Sequence, residues 1–400
     1  MVAACPFPSP QGSQVFVRDM CGALAARGHE VHLLTYGQGA DDVVPGVTHE
    51  RIRRLPGDDA MRSGPTAVKP LLDSMMAVRL SSMLGRAPFD VVHCHNYEAA
   101  MIGLATRVRR GVPVVYHSHN MMTDELPTYF SGSITRLAAG AVGRMLDRSV
   151  PRAVDQAVAL CDHTAAALGG LGVAPERLTV IPPAIDDPGE CGDRLAARRE
   201  LGLPQKARVV TYAGNLDAYQ NLGLLVGAMR LLRERSKDAH SVLVVATHAT
   251  EAAQESLDTM VRAAGIAENV KIVRSSDFVP IWRAIEAADA VVMPRRLGSG
   301  FPIKLVNYLA GGRAVVTAGC GGKALCDGVD GVVVPDDDPG ALAAGLGRVL
   351  DDSEFAGRLE REARHTYRAS FTWDAVLPAL EAVYDRAARA GTRGYRDCAV

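Results

Sequence analysis

Short apolar runs alternate with helical periodicity almost from one end of this 400-residue chain to the other. In the first half the strand-like runs fall at 2–5, 30–35, 91–95, 113–117 and 157–161. In the second half they fall at 208–213, 242–247, 270–274, 290–294, 314–317 and 331–335. Several are unbroken stretches of valine, isoleucine and leucine, which suit parallel strands covered on both faces. Between them the spacing predicts helices, among them 15–27, stopped by Gly28, and 222–235. Alternation of this kind predicts the α/β class, as two doubly wound, Rossmann-like lobes.

The break between lobes is expected at VIPPAIDDPG, 180–189, where a strand-like run meets prolines, aspartates and a glycine. That gives a first domain at 1–184 and a second at 185–370, the latter ending in helices at 341–350 and 354–370. The segment 371–390 holds an amphipathic helix from 373, with Val376, Leu377, Leu380, Val383 and Tyr384 on one side. The last residues, 391–400, are expected to fray.

Length and composition agree with two domains, since one core rarely serves a chain of this size. A net charge of −1 leaves no electrostatic footprint for nucleic acid or for a polybasic membrane patch. The eight cysteines form no CxxC pair and read as reduced, small hydrophobes. No apolar run reaches the roughly 18–20 residues that span a bilayer. The opening MVAACPFPSP lacks the basic and long apolar regions of a signal peptide. The expected location is therefore the cytoplasm, without an integral membrane segment; peripheral membrane contact stays open.

Four stretches carry candidate chemistry. Gly12 and Ser13 stand where a Pro/Gly loop enters the first helix. Free N–H groups there can hold a phosphate, although an ordinary βα loop has the same appearance. His93 and His95 end one strand, His117 and His119 another. Histidine is a metal ligand, but two on one strand specify no third, so a place in a cleft is the expectation and metal is not. PDDDP, 335–339, could bind a divalent cation but reads as a solvated turn with a helix N-cap.

The fourth stretch is GSGFPIKLVNYLAGG, 298–312. Pro302 suits the first helical position, and Gly311–Gly312 end the helix. Ile303, Val306 and Ala310 fall on one side, with Lys304, Asn307 and Tyr308 on another. A cation near a helix N-terminus opposes the macrodipole unless an anion is close. With Arg295 and Arg296 upstream, a diphosphate is the natural anion; a lysine snorkelling to the surface is the alternative.

Taken in order, these motifs resemble the retaining glycosyltransferases of family 4, which have the GT-B fold. The likeness runs through RGHEV, DVVH, HN at 119–120, ERLTVIPPAID, YAGNLDAYQNLGLL, ADAVVMP, GFPIKLVNYLAGGRAVV, DGVVVPDDDPGALA and FTWDAVLPALEAVY. It implies transfer of a hexosyl-type sugar from a nucleotide diphosphate, UDP before GDP, with retention of configuration. No metal or other cofactor is implied. The nucleotide would lie in the second domain and the acceptor mostly against the first, onto which the last helix crosses back. The acceptor could be a glycan, a lipid-linked sugar or a small natural product.

Carried over by position, the resemblance puts Gly12 and Ser13 at the donor phosphate and His119 by the transferred sugar. Lys304, Leu305, Arg295 and Arg296 would hold the diphosphate. Ser299, Gly300, Phe301 and Asn307 would face sugar and ribose. Lys304 and His119 would carry the catalysis. Two departures stand out. Ser299 and Asn307 replace the family's paired glutamates, and Asn215 and Gln220 replace its arginine and lysine in the second lobe. Lys304, in a GFPxK variant of the motif, would make up the missing charge. A GT-B protein that binds without turnover, and a nucleotide-sugar epimerase, are the competing readings.

Overall fold

The computed structural model describes residues 1–8, 12–39, 44–55, 64–189, 192–235, 240–275, 277–295, 300–319 and 324–397, with side chains through residue 390 except that of Arg109. The chain forms two compact units. One comprises Met1–Ile185, Ser299–Phe301 and Trp373–Val400; the other comprises Asp186–Gly298 and Pro302–Thr372.

The first unit runs β1 (Val2–Ala3), α1 (Gly12–Ala26), β2 (Val31–Thr35), β3 (Val47–Arg51), α2 (Lys69–Met83), β4 (Val92–His95), α3 (Asn96–Arg110), β5 (Val114–Ser118), α4 (Met122–Glu125), α5 (Ser133–Ala153), β6 (Gln156–Ala159), α6 (Asp162–Gly170) and β7 (Leu178–Val180). Its seven strands are parallel, in the order β3-β2-β1-β4-β5-β6-β7. Leu34, Leu72, Met76, Val114 and Leu168 are fully buried in its core. Strand β1 is shorter than the apolar run because Cys5 turns back to donate its N–H to the Ala3 carbonyl at 2.8 Å. Strand β3, VTHER, is polar and partly exposed as befits a sheet edge, so its pattern carried no strand signal.

The second unit runs α7 (Arg194–Glu200), β8 (Arg208–Ala213), α8 (Leu222–Arg235), β9 (Ser241–Thr247), α9 (Glu251–Ala263), β10 (Val270–Arg274), α10 (Phe278–Glu286), β11 (Ala290–Met293), α11 (Ile303–Ala310), β12 (Ala314–Ala318), β13 (Val332–Val334), α12 (Pro339–Asp351) and α13 (Ser353–Ser370). Six parallel strands lie in the order β10-β9-β8-β11-β12-β13. Both units are thus parallel sheets flanked by helices. In each, the winding direction reverses between two neighbouring strands, β1/β4 and β8/β11, and ligands of such sheets gather beyond the carboxyl ends at that point.

The last helix, α14 (Trp373–Asp397), belongs to the first unit. Leu377, Leu380, Val383 and Ala387 are buried. Glu381 accepts from Arg27 at 2.8 and 3.1 Å, and Arg386 donates to Thr179 Oγ1 at 2.8 Å. The expected end at 390 is corrected: the helix continues through Asp397. A single glycine costs an established helix about 1 kcal/mol and does not oblige it to stop. Among the described residues no helix is long and apolar enough to cross a membrane.

Candidate active site

In the first unit the ends of β4 and β5 bring four imidazoles together. The parallel register pairs His95 with His117. His95 Nδ1 lies 3.0 Å from His119 Nε2, His93 Nε2 lies 3.1 Å from His117 Nδ1, and His93 Nδ1 lies 2.7 Å from the Tyr384 hydroxyl on α14. Phe16 of α1 meets His95, His117 and His119 edge-on and stacks on Trp373. All four histidines are buried, and burial holds them neutral; that of His119 is pushed down to about 4.

Neutral imidazoles have one N–H and one bare nitrogen each, so the network dictates tautomers. His95 Nε2 and His117 Nε2 are buried without a hydrogen-bond partner. An orphaned lone pair is tolerated better than an orphaned N–H, so these two are the bare nitrogens. His95 Nδ1–H then donates to His119 Nε2, leaving the His119 proton on Nδ1 as a donor for a ligand. By the same logic His117 Nδ1–H donates to His93, and His93 Nδ1–H donates to Tyr384. His93, His95 and His117 also have ligating atoms all within 4.8 Å of one another, so the neighbouring strand brings the third imidazole that the spacing along one strand did not specify.

Just after this cluster, buried Asp147 of α5 accepts from the Met122 and Thr123 amides at 2.8 and 2.7 Å and so anchors the turn following His119–Asn120. Gly300, which groups with this unit, has φ +86°; a Cβ there would lie 2.0 Å from Asn120 Oδ1 and 2.6 Å from the His119 carbonyl oxygen. Glycine is required there on both counts. Phe301 is buried beside it. Gly12 opens α1 and is exposed, with Ser13 half-buried. Its exposed place at a helix start keeps it open to an anion.

In the second unit, Lys304 sits one residue inside α11, over the reversal point between β8 and β11. Its Nζ donates to the Tyr212 hydroxyl at 2.8 Å and to Gln220 Oε1 at 2.7 Å. Gln220 in turn donates to Asn215 Oδ1 at 2.7 Å, and the Tyr212 hydroxyl donates to the Asn215 carbonyl at 2.5 Å. Lys304, Asn215 and Gln220 therefore form one assembly, in which the ammonium occupies the loop where Asn215 and Gln220 bring no charge. Gly214 admits it: its φ is +150°, and a Cβ would stand 2.6 Å from Nζ. The Arg295 guanidinium lies 5.2 Å from the Tyr219 ring centroid, and the Tyr219 hydroxyl accepts from Asn215 Nδ2 at 3.0 Å.

The predicted face of α11 needs two corrections. Pro302 is the N-cap, one residue before the helix. Tyr308 is wholly buried, its hydroxyl accepting from the Ala213 amide at 2.8 Å, so it braces α11 on β8 and leaves Lys304 and Asn307 as the half-exposed pair. Leu305 is fully buried and its amide donates to the Pro302 carbonyl at 2.8 Å, so that donor is engaged within the helix turn. Arg296 and Ser299 lie outside the described residues. Asp338 caps α12, accepting from Ala341 N at 2.9 Å, as the turn reading of PDDDP expected. Tyr212, Tyr308, Tyr384 and Asp147 had no local signal, because their contacts with Lys304, Ala213, His93 and the Met122–Thr123 amides span 24 positions or more.

Residues 11–184 match the family model of a glycosyl transferase 4-like domain, and residues 207–352 that of the glycosyl transferases group 1. The D-inositol 3-phosphate glycosyltransferases of Mycolicibacterium gilvum and Geodermatophilus obscurus are 29% and 28% identical to the chain. Each alignment covers 94% of this chain and 85% of the relative. Among solved structures, a sucrose-phosphate synthase from Thermosynechococcus elongatus superposes with a TM-score of 0.80 at 18% identity, over 96% of this chain and 98% of that one. HepE from Anabaena, in complex with UDP and glucose, gives 0.75 at 16% identity over the same shares.

Proposed function

The chain belongs to the GT-B glycosyltransferases of the family 4 type, and on that premise we propose that it moves a hexosyl group from a nucleotide-diphosphate donor, UDP favoured, to a hydroxyl acceptor with retention of configuration. The observation that carries this reading is the seating of Lys304. A cation tethered by two neutral partners at a sheet's reversal point is placed for the charge that develops on a departing diphosphate. Arg295 adds charge beside Lys304, and Gly12 and Ser13, at the start of α1, offer N–H donors suited to a phosphate. Asn307 hydrogen-bonds the ribose.

His119, neutral and protonated on Nδ1, holds a sugar oxygen as a donor and does not act as a nucleophile. The leaving phosphate takes the acceptor's proton. No step in this scheme uses a metal, so turnover after exhaustive chelation should match that of untreated protein. UDP is favoured because a structural neighbour carries it; the relatives' names place D-inositol 3-phosphate in the acceptor panel beside glycans, lipid-linked sugars and natural products.

The test has two stages. UDP should raise the melting temperature more than GDP or dTDP, by about 2.7 kcal/mol of stabilisation at a hundredfold excess over Kd. Product analysis with UDP-sugars and the acceptor panel should then give an axial or equatorial linkage matching the donor. Inversion would overturn the retaining assignment. Nucleotide binding with no transfer to any acceptor would favour the non-catalytic reading, which the uncharged Asn215 and Gln220 suggest; an isomerised donor would favour an epimerase.

A further inference from the structure

Helix α5 presents to solvent the kind of stripe that amphipathic helices normally bury. Ile134 is 85% exposed, Leu137 78%, Met145 60% and Val142 46%. With exposed Ala138 and Ala141 they occupy positions i, i+3, i+4, i+7, i+8 and i+11, one continuous face about 16 Å long. The opposite face is the one that packs. Ala139, Gly143, Asp147 and Val150 are buried there, and a Cβ on Gly143 would stand 2.2 Å from the Met122 carbonyl oxygen. The helix is thus held with its apolar stripe outward and cannot roll it inward.

Charge says what covers it. Arg136, Arg144, Arg148 and Arg152 are exposed on α5, while its one acidic residue, Asp147, is buried and bonded to Met122 and Thr123. Partly exposed Tyr129 and Phe130 precede the helix, and aromatic side chains of this kind favour the headgroup level. Arg144 and Arg148 edge the stripe and Arg152 continues its line, and such an apolar stripe with a basic edge suits a bilayer surface bearing anionic lipid. A second copy suits it poorly, since it would oppose three arginines to three with no exposed carboxylate on either helix.

We propose that α5 lies in the interface of an anionic membrane and docks the protein there peripherally, independently of the sugar-transfer reading. The full chain should float with vesicles of phosphatidylcholine and phosphatidylglycerol and stay behind with phosphatidylcholine alone. Ile134→Asp with Leu137→Asp should reduce flotation tenfold or more, roughly, by removing the inserted surface. Arg144→Gln with Arg148→Gln should weaken it about fivefold per arginine, and added salt should mimic that change. Melting temperatures show whether each variant is folded; the arginine pair, being exposed, keeps the test valid should the aspartates perturb folding. The proposal is overturned if the wild type fails to float with anionic vesicles, or if folded variants of both kinds float as well as it does. It is equally overturned if light scattering shows a wild-type dimer that the aspartates split, which would make the stripe a contact between copies.

Discussion

Lys304 is held by Tyr212 and Gln220 close to the N-terminus of α11, where the helix dipole alone would disfavour it. Its removal should therefore leave the fold intact while taking one cation from the diphosphate. Lys304→Ala is expected to lower turnover by about 10²–10³, the usual effect of losing one preorganised donor, with melting unchanged. Lys304→Arg should rescue only partly, because a planar guanidinium cannot fill a point-charge site beside Gly214. A folded Lys304→Ala enzyme of near wild-type rate would refute the role. His119→Ala separates the two halves of the reaction: kcat should fall while nucleotide affinity, measured by titration calorimetry, holds. Unimpaired turnover would make His119 a packing residue only.

At the scale of elements, α14 closes the histidine cluster through Tyr384, whose hydroxyl is the acceptor for His93 Nδ1–H. Tyr384→Phe preserves the ring and leaves that buried N–H without a partner, which costs about 1–3 kcal/mol. Scanning calorimetry should show melting lowered by a few degrees; an unchanged value would mean that His93 is protonated on the other nitrogen. Helix α11 is fastened likewise, by Tyr308 reaching the Ala213 amide, so that one buried tyrosine sets where Lys304 points.

Across the whole molecule, the four buried histidines give stability a pH dependence of definite sign. The folded pKa of His119, about 4, lies below its ordinary 6.5. Between those values the unfolded chain binds a proton that the folded chain does not, so stability is full above 6.5 and falls as pH falls toward 4. The loss from His119 is on the order of 3 kcal/mol by pH 4, and His93, His95 and His117 shift the same way. Melting should hold level from pH 7.5 to about 6.5 and then drop steadily to pH 5; a flat profile throughout would show the cluster to be charged or hydrated.

The α/β class, the parallel sheets and nearly all the buried strands were legible in the sequence, because a strand covered on both faces is apolar at most positions. Gly12, His119, Asn215, Gln220 and Lys304 were legible as candidates, because they stand at strand ends and helix starts, where a chain shows its chemistry. The polar edge strand β3 was not, since its residues are only partly buried and carry no apolar pattern. Nor was the length of α14, which is fixed by cooperative extension of a helix already docked. The tertiary structure alone decided that Lys304 meets Gln220, 84 residues away, that His95 orients His119, and that α5 turns its apolar stripe outward. Periodicity reports that a helix has an apolar face, but which way the face points is set by the buried contacts of its other side.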